Sequence, residues 1–112
     1  MNDAVWITRF VEGPVAVLRR VFRPSRVVIF GSQVTGDARE DSDIDVIIVS
    51  DAFEGVPFVR RMGQVSRAAP FAKHVDYLCY TGREYEHMRR ESAVVMEAET
   101  NGVVVGSSPT DG

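Results

Sequence analysis

The chain has few of the residues that mark several common protein classes. It has a single cysteine, Cys79, so an internal disulfide cannot form, and an apolar context predicts that this thiol is buried and inert. No apolar run approaches the roughly 18 residues that a membrane span requires. The first residues also lack the charged and apolar pattern of a signal peptide. These absences predict a cytoplasmic protein without membrane association.

Lysine is also scarce, because twelve of the thirteen basic side chains are arginines. The net charge of −3 argues against general nucleic-acid binding. Arginine binds phosphate and carboxylate groups in a bidentate manner, so its clusters are either phosphate or partner surfaces or ordinary solvated helix faces. The clusters are Arg19-Arg20-Arg23-Arg26, Arg60-Arg61-Arg67 and Arg89-Arg90.

A glycine–serine pair follows a short apolar run of β-branched residues. The run is Val27 to Phe30, and Gly31 and Ser32 come directly after it. Glycine permits a tight turn, and the turn can present backbone N–H groups and a hydroxyl to an anion. The pair therefore predicts a phosphate-binding turn.

Two aspartates precede a second apolar strand. Asp43 and Asp45 are two residues apart, and Val46 to Val49 follow them. Because side chains alternate across a strand, both carboxylates point to the same face. Two convergent carboxylates form an oxygen site that suits Mg²⁺ better than zinc. An Asp-x-Asp sequence is otherwise usually a solvated turn, but a charge at the edge of a buried strand is costly unless a cation neutralises it.

The remaining pattern predicts the order helix, strand, strand, helix, strand, helix, in one domain of 112 residues. From Asp3 to Phe22 the apolar spacing is helical, and Gly13-Pro14 marks either a kink or the start of a second helix. The buried face of this segment is predicted to consist of Trp6, Phe10, Val17 and Val21. An apolar stripe between Pro57 and Pro70 predicts a helix that links the second and third strands, and the stripe consists of Phe58, Met62 and Val65.

The pattern Thr81-x-x-Glu84 is a capping box that begins a last helix ending near Asn101. Its buried face is predicted to consist of Tyr85, Met88, Val95 and Met96. Val103 to Val105 predict a short strand, and Ser107 to Gly112 have the composition of a frayed tail. The domain is therefore expected over residues 1–106, with a disordered tail over 107–112.

The glycine–serine pair, the interval of ten residues and the Asp-x-Asp pair together resemble the minimal nucleotidyltransferases of the DNA polymerase β-like superfamily. The resemblance covers nearly the whole chain. It implies a mixed α/β fold, in which a small mixed sheet carries flanking helices. It also implies a third carboxylate from a later strand, and Asp76 in Val75-Asp76-Tyr77-Leu78 is the matching residue.

The resemblance implies a mechanism as well. Asp43 and Asp45 would hold two Mg²⁺ ions, and Gly31 and Ser32 would bind the phosphates of ATP. Asp76 would bind the metal that activates the acceptor hydroxyl and would take its proton. The sequence departs from many relatives, which have a basic residue after the glycine–serine pair, because Gln33 stands there.

The acceptor is expected to be another protein, since minimal nucleotidyltransferases are often paired, as antitoxins, with HEPN-type RNases to which they attach AMP. One alternative is an antitoxin or regulator that inhibits its partner by contact, and another is a small-molecule or antibiotic-modifying enzyme. A homo-oligomer is also compatible with the sequence. His74 and His87 are interpreted as satisfied or solvated imidazoles and not as general bases.

Overall fold

The computed structural model describes residues 4–31, 34 and 43–105. Its helices are α1 (Ala4–Glu12), α2 (Pro14–Phe22), α3 (Phe58–Ala68), α4 (Gly82–Glu91) and α5 (Ala93–Asn101). Its strands are β1 (Arg26–Phe30), β2 (Ile44–Val49), β3 (Val75–Tyr80) and β4 (Val103–Val104), and a 3-10 turn spans Asp51–Phe53. The predicted tail, Ser107 to Gly112, lies outside the described residues.

The four strands form one mixed sheet in the order β3-β2-β1-β4. Strand β1 is antiparallel to both β2 and β4, whereas β2 is parallel to β3. A parallel pair needs a crossover connection, and α3 supplies it. The mixed α/β fold, the adjacency of the two Asp-bearing strands and the linking role of α3 are therefore confirmed.

The two faces of the sheet bury separate cores. One face packs against α1, α2 and α3, and its strand residues are Val27, Ile29, Ile44, Val46, Ile48, Val75, Tyr77 and Cys79. The opposite face packs against α4 and α5, and its strand residues include Val28, Ile47, Val49 and Tyr80. Burial on both faces explains why β2 reads as a nearly continuous apolar run.

The break at Gly13-Pro14 is the start of a second helix, with Pro14 in its first turn. Proline lacks a backbone N–H, and the first turn of a helix does not require one. Phe10 is fully buried as predicted, but the assignment of Val21 to the buried face is wrong because its side chain is half exposed. Leu18, three residues earlier on α2, is buried instead.

The predicted apolar stripe of α3 is partly wrong. Val65 is buried, but Phe58 and Met62 are exposed and Arg61 is buried in their place. Burial of Arg61 is possible because its guanidinium donates hydrogen bonds to Glu84 and to the carbonyl oxygens of Val56 and Cys79. A sequence pattern that counts only apolar residues cannot identify such a charged core position.

The C-terminal helical segment is two helices rather than one. The capping box of Thr81 and Glu84 is confirmed at the start of α4. Ser92 separates α4 from α5, since its hydroxyl accepts a hydrogen bond from the Val95 N–H and caps the second helix. Met96 is exposed, so its assignment to the buried face is wrong, while Tyr85 and Val95 are buried as predicted.

Two predictions from composition concern the Cys79 thiol and membrane-spanning segments. Cys79 is buried, and burial raises the pKa of its thiol to about 12. It therefore remains protonated at neutral pH, as an inert thiol should. Among the described residues, none of the helices is both long and apolar enough to cross a bilayer.

Candidate functional site

The three predicted carboxylates come together at one end of the β2–β3 pair. Asp43 directly precedes β2, Asp45 is its second residue, and Asp76 is the second residue of β3. Asp45 and Asp76 are partners in the parallel register, so they stand side by side on the same face of the sheet. That face continues as the core beneath α4 and α5, and the carboxylates lie where this core begins.

The proximity of the three carboxylates affects the pKa of Asp45. Burial raises the pKa of its carboxyl group, and the charges of Asp76 and then of Asp43 raise it further. Like charges in one site disfavour ionisation because each carboxylate repels the others. The cluster therefore stores repulsion that a bound cation would relieve.

Gly31 lies next to the Asp45 carboxylate. Its φ is +83°, in the left-handed region that favours glycine, and the N–H of Val34 donates to its carbonyl oxygen at 3.0 Å to close a turn. A Cβ on Gly31 would meet the Asp45 carboxylate, with its Cγ at 3.2 Å and an oxygen nearer still. Gly31 therefore packs closely against the Asp45 carboxylate. Ser32 and Gln33 lie outside the described residues.

His74 joins the carboxylates, which the sequence interpretation did not foresee. The Ile44 N–H donates to its carbonyl oxygen at 3.1 Å, which holds His74 at the start of the β2–β3 ladder. Its Nε2 lies 2.9 Å from Oδ1 of Asp76. Each of Asp43, His74 and Asp76 offers a ligand atom within 4.8 Å of the others. The signal was present in the sequence, because His74-x-Asp76 has the same spacing as Asp43-x-Asp45.

The other candidate groups lie elsewhere. His87 is exposed on α4. The interpretation of Arg61 as part of a surface cluster is wrong, since its side chain is only 6% exposed and pairs with Glu84. Arg26 pairs with Glu99, and Arg89 pairs with Glu86.

A shallow apolar groove lies on the same sheet face as Asp76, farther along β3. Leu78 and Tyr80 follow Asp76 on the same sheet face, because alternate residues of a strand share a face. These two side chains form the floor of the groove, and α3 and α4 form its walls. The wall residues are Phe58, Arg83, Glu84, His87 and Met88.

The donor atoms fit a divalent cation. Carboxylate oxygens are preferred ligands of Mg²⁺, and Asp43 and Asp76, with His74, offer ligand atoms within 4.8 Å of one another. Asp45 stands beside Asp76 in the register but is not part of this group. The side chains of His74 and Asp76 are 65% and 51% exposed, so an ion can enter from solvent. The pKa of Asp45 is raised in part by the negative charges of Asp76 and Asp43, and a bound cation would neutralise this repulsion.

One protein-family model matches the chain. The family model of the nucleotidyltransferase domain matches residues 15–105, which include Gly31 and all three carboxylates. A comparison with curated protein sequences finds no match.

Two solved structures resemble the fold. The crystal structure of a candidate nucleotidyltransferase from Sulfolobus solfataricus aligns with a TM-score of 0.65 and 24% identity, over 94% of this chain and 83% of that one. BolA1 from Arabidopsis thaliana aligns with a TM-score of 0.51 and 25% identity, over 75% of this chain and 96% of its own. BolA1 is not named as a nucleotidyltransferase, so similarity of fold alone does not define the activity.

Proposed function

Because the chain belongs to the nucleotidyltransferase domain family, we propose that it transfers AMP from ATP to a hydroxyl group of a partner protein. The nucleotidyltransferase class follows from the family, whereas the nucleotide, the acceptor and the roles of individual residues are proposed. The observation that carries the proposal is the contact of the Gly31 turn with Asp45, which stands beside Asp76 in the register. This contact supports the proposal because it puts the glycine of the proposed phosphate-binding turn next to the proposed cation site.

Asp43, Asp45 and Asp76 are the proposed ligands of two Mg²⁺ ions, which suits their oxygen donors and mutual repulsion. When bound, such a metal pair neutralises the charge that develops on the transferred phosphoryl group and lowers the pKa of the attacking hydroxyl. Each carboxylate is fixed by a strand or strand end. This rigidity favours catalysis because nucleotidyl transfer depends mainly on positioning and charge neutralisation.

The protein groups have distinct proposed roles. The Gly31 N–H and the Ser32 hydroxyl bind the β- and γ-phosphates, and Asp76 accepts the proton of the acceptor hydroxyl. The hydroxyl oxygen bonds to the α-phosphorus, the bond from that phosphorus to the bridging oxygen breaks, and pyrophosphate leaves. Asp76 suits the role of base because its side chain is half exposed and open to an acceptor.

A protein acceptor is supported by exposed apolar residues near the groove. Phe58, Val59 and Met62 all lie on α3, and the Val59 side chain is 83% exposed. Clustered apolar side chains on a surface are typical of a protein interface. A HEPN-type RNase is the partner class that the resemblance implies, and AMP transfer would make this chain the antitoxin of such a pair.

The direct test is to incubate the chain with ATP and Mg²⁺, with and without the protein encoded beside it. Mass spectrometry should show a partner that is heavier by one or more AMP units, and no gain with Asp43→Asn. Equal inhibition of the partner by wild type and by Asp43→Asn, without a mass gain, would replace transfer with inhibition by contact.

The partner surface has its own test. Val59→Asp should strongly reduce AMP transfer to the partner because it places a charge in the proposed interface, and the fold should be unchanged because the side chain is exposed. Val94→Asp on α5 is the matched control, since Val94 is 50% exposed on another helix. Equal transfer by the two variants would remove α3 from the interface.

A further inference from the structure

The carboxylate site contains a fourth potential ligand, the imidazole of His74, two residues before Asp76. The β2–β3 register pairs Ile44 with Val75 and Asp45 with Asp76, and the Ile44 N–H donates a hydrogen bond to the carbonyl oxygen of His74 at the start of this ladder. Asp43 and His74 each lie two residues before Asp45 and Asp76, just outside that register. Because alternate residues of a strand share a face, this spacing brings the three carboxylates and the imidazole to one side of the sheet.

The distance between His74 and Asp76 is compatible with two ligands that share an ion. Two ligands at right angles around a metal are separated by about 1.4 times the metal–ligand distance, or roughly 3.0 Å for bonds of about 2.1 Å. Nε2 of His74 and Oδ1 of Asp76 are 2.9 Å apart. A ligand atom of Asp43 lies within 4.8 Å of both. Small movements of exposed side chains would bring all three onto one ion.

We propose that His74 is a metal ligand, through Nε2, in a site shared with Asp43 and Asp76, and that it lets this site bind a divalent first-row transition ion as well as Mg²⁺. Imidazole nitrogen is a borderline donor that favours transition ions, whereas Mg²⁺ selects oxygen. Replacing one oxygen donor by nitrogen therefore shifts the metal preference of the site.

A purely structural role explains this arrangement poorly. The His74 side chain is 65% exposed and that of Asp76 is 51% exposed. Exposed ion pairs contribute little to folding stability, so the pair does not account for the fold of β3. Binding of one shared ion would explain why the His74–Asp76 pair lies close to Asp43.

The experiment titrates the purified apo chain with Zn²⁺ and, separately, with Mg²⁺ by isothermal calorimetry, without nucleotide. His74→Ala should weaken Zn²⁺ binding by about 10-fold or more while changing Mg²⁺ binding less than about threefold. His74→Gln keeps a hydrogen-bond donor near Asp76 but is a poor transition-metal ligand, so it should behave like His74→Ala. His87→Ala is the matched control, because that histidine is exposed on α4, and it should change neither affinity.

Three results would overturn the proposal. Wild-type Zn²⁺ affinity in His74→Ala would show that the imidazole does not bind the ion. Wild-type Zn²⁺ affinity in His74→Gln alone, or an equal loss for both metals in His74→Ala, would make His74 a hydrogen-bonding support for Asp76. The proposal uses the carboxylates of the proposed function, but its readout is nucleotide-free metal binding, so its failure is distinguishable from a failure of AMP transfer.

Discussion

Strand β3 has a charged cluster near each end. At its start, Asp76 stands beside Asp45 and near Asp43, and burial together with these like charges raises the pKa of Asp45. Near its last residues, Arg61 donates to both carboxylate oxygens of Glu84 and to the Cys79 carbonyl oxygen. A hydrogen bond from Arg61 is the largest of the causes that lower the pKa of Glu84.

The comparison separates a charge cluster that stabilises the fold from one that is proposed to bind a ligand. The Arg61–Glu84 pair neutralises itself and fills hydrogen-bond positions, so the fold needs nothing further there. The aspartates repel each other, and the fold retains that cost. A cluster that destabilises its own protein is expected where a ligand of opposite charge binds, which is the physical reason to place function at the start of β3.

The largest expected effect concerns the structural cluster. Arg61→Met should lower the free energy of unfolding by about 2–4 kcal/mol, because Glu84 and two backbone carbonyl oxygens lose their donor. Arg60→Met, at an exposed neighbouring position, should cost less than about 0.5 kcal/mol. Urea denaturation measures both, and similar losses would show that Arg61 is not a buried structural charge.

The turn can be tested with two glycines of nearly equal conformation. Gly31 has φ +83° against the Asp45 carboxylate, whereas Gly55 has φ +81° with open space around it. Gly55→Ala should cost about 1–2 kcal/mol from backbone strain alone. Gly31→Ala should cost more, and only it should weaken binding of Mg²⁺ with ATP, because it displaces Asp45. Equal binding in both variants would separate the turn from the metal site.

Ser32→Ala should leave stability unchanged and weaken nucleotide binding by about 1–2 kcal/mol, the scale of a hydrogen bond to a charged group. The measurement is titration with a non-hydrolysable ATP analogue in the presence of Mg²⁺. Wild-type affinity would mean that this hydroxyl does not contact the triphosphate.

The smallest expected effects are changes in the free energy of unfolding, and they have opposite signs in the two clusters. Asp45→Asn should stabilise the apo protein by about 0.5–1 kcal/mol near neutral pH, because paired like charges are destabilising, and Glu84→Gln should destabilise it. The raised pKa of Asp45 favours the fold below the unfolded value near 3.8, and this advantage disappears as pH rises through the folded pKa. The lowered pKa of Glu84 favours the fold above 4.5, and this contribution is lost as pH falls through the folded pKa.

Urea denaturation of wild type and both variants at neutral pH and near pH 3 tests this contrast. Both differences from wild type should shrink in acid, since the wild-type carboxyl groups become protonated. Two differences of the same sign at neutral pH would contradict the distinction between the clusters.

The sequence was sufficient for the parts of the site that depend on local spacing. Alternation along β2 placed Asp43 and Asp45 on one face, and the apolar run around Asp76 indicated a neighbouring strand. Arg61 was misjudged because its environment depends on a partner distant in sequence, Glu84. His74 is solvated as interpreted, but its closeness to Asp43 was not foreseen because it depends on the pairing of β2 with β3. The break at Ser92 was missed for a different reason, since apolar spacing continues across it and only a side-chain cap marks it.

The central claim is that the aspartate cluster is a cost of the empty fold that a bound cation reverses. Thermal unfolding of wild type and Asp45→Asn, with and without Mg²⁺ and a non-hydrolysable ATP analogue, tests it directly. We expect Asp45→Asn to melt at the higher temperature without ligands and wild type to melt at the higher temperature with them, because only wild type keeps the full set of charged ligands. If the ligands leave wild type unchanged, or raise both proteins equally, the cluster is not the metal site.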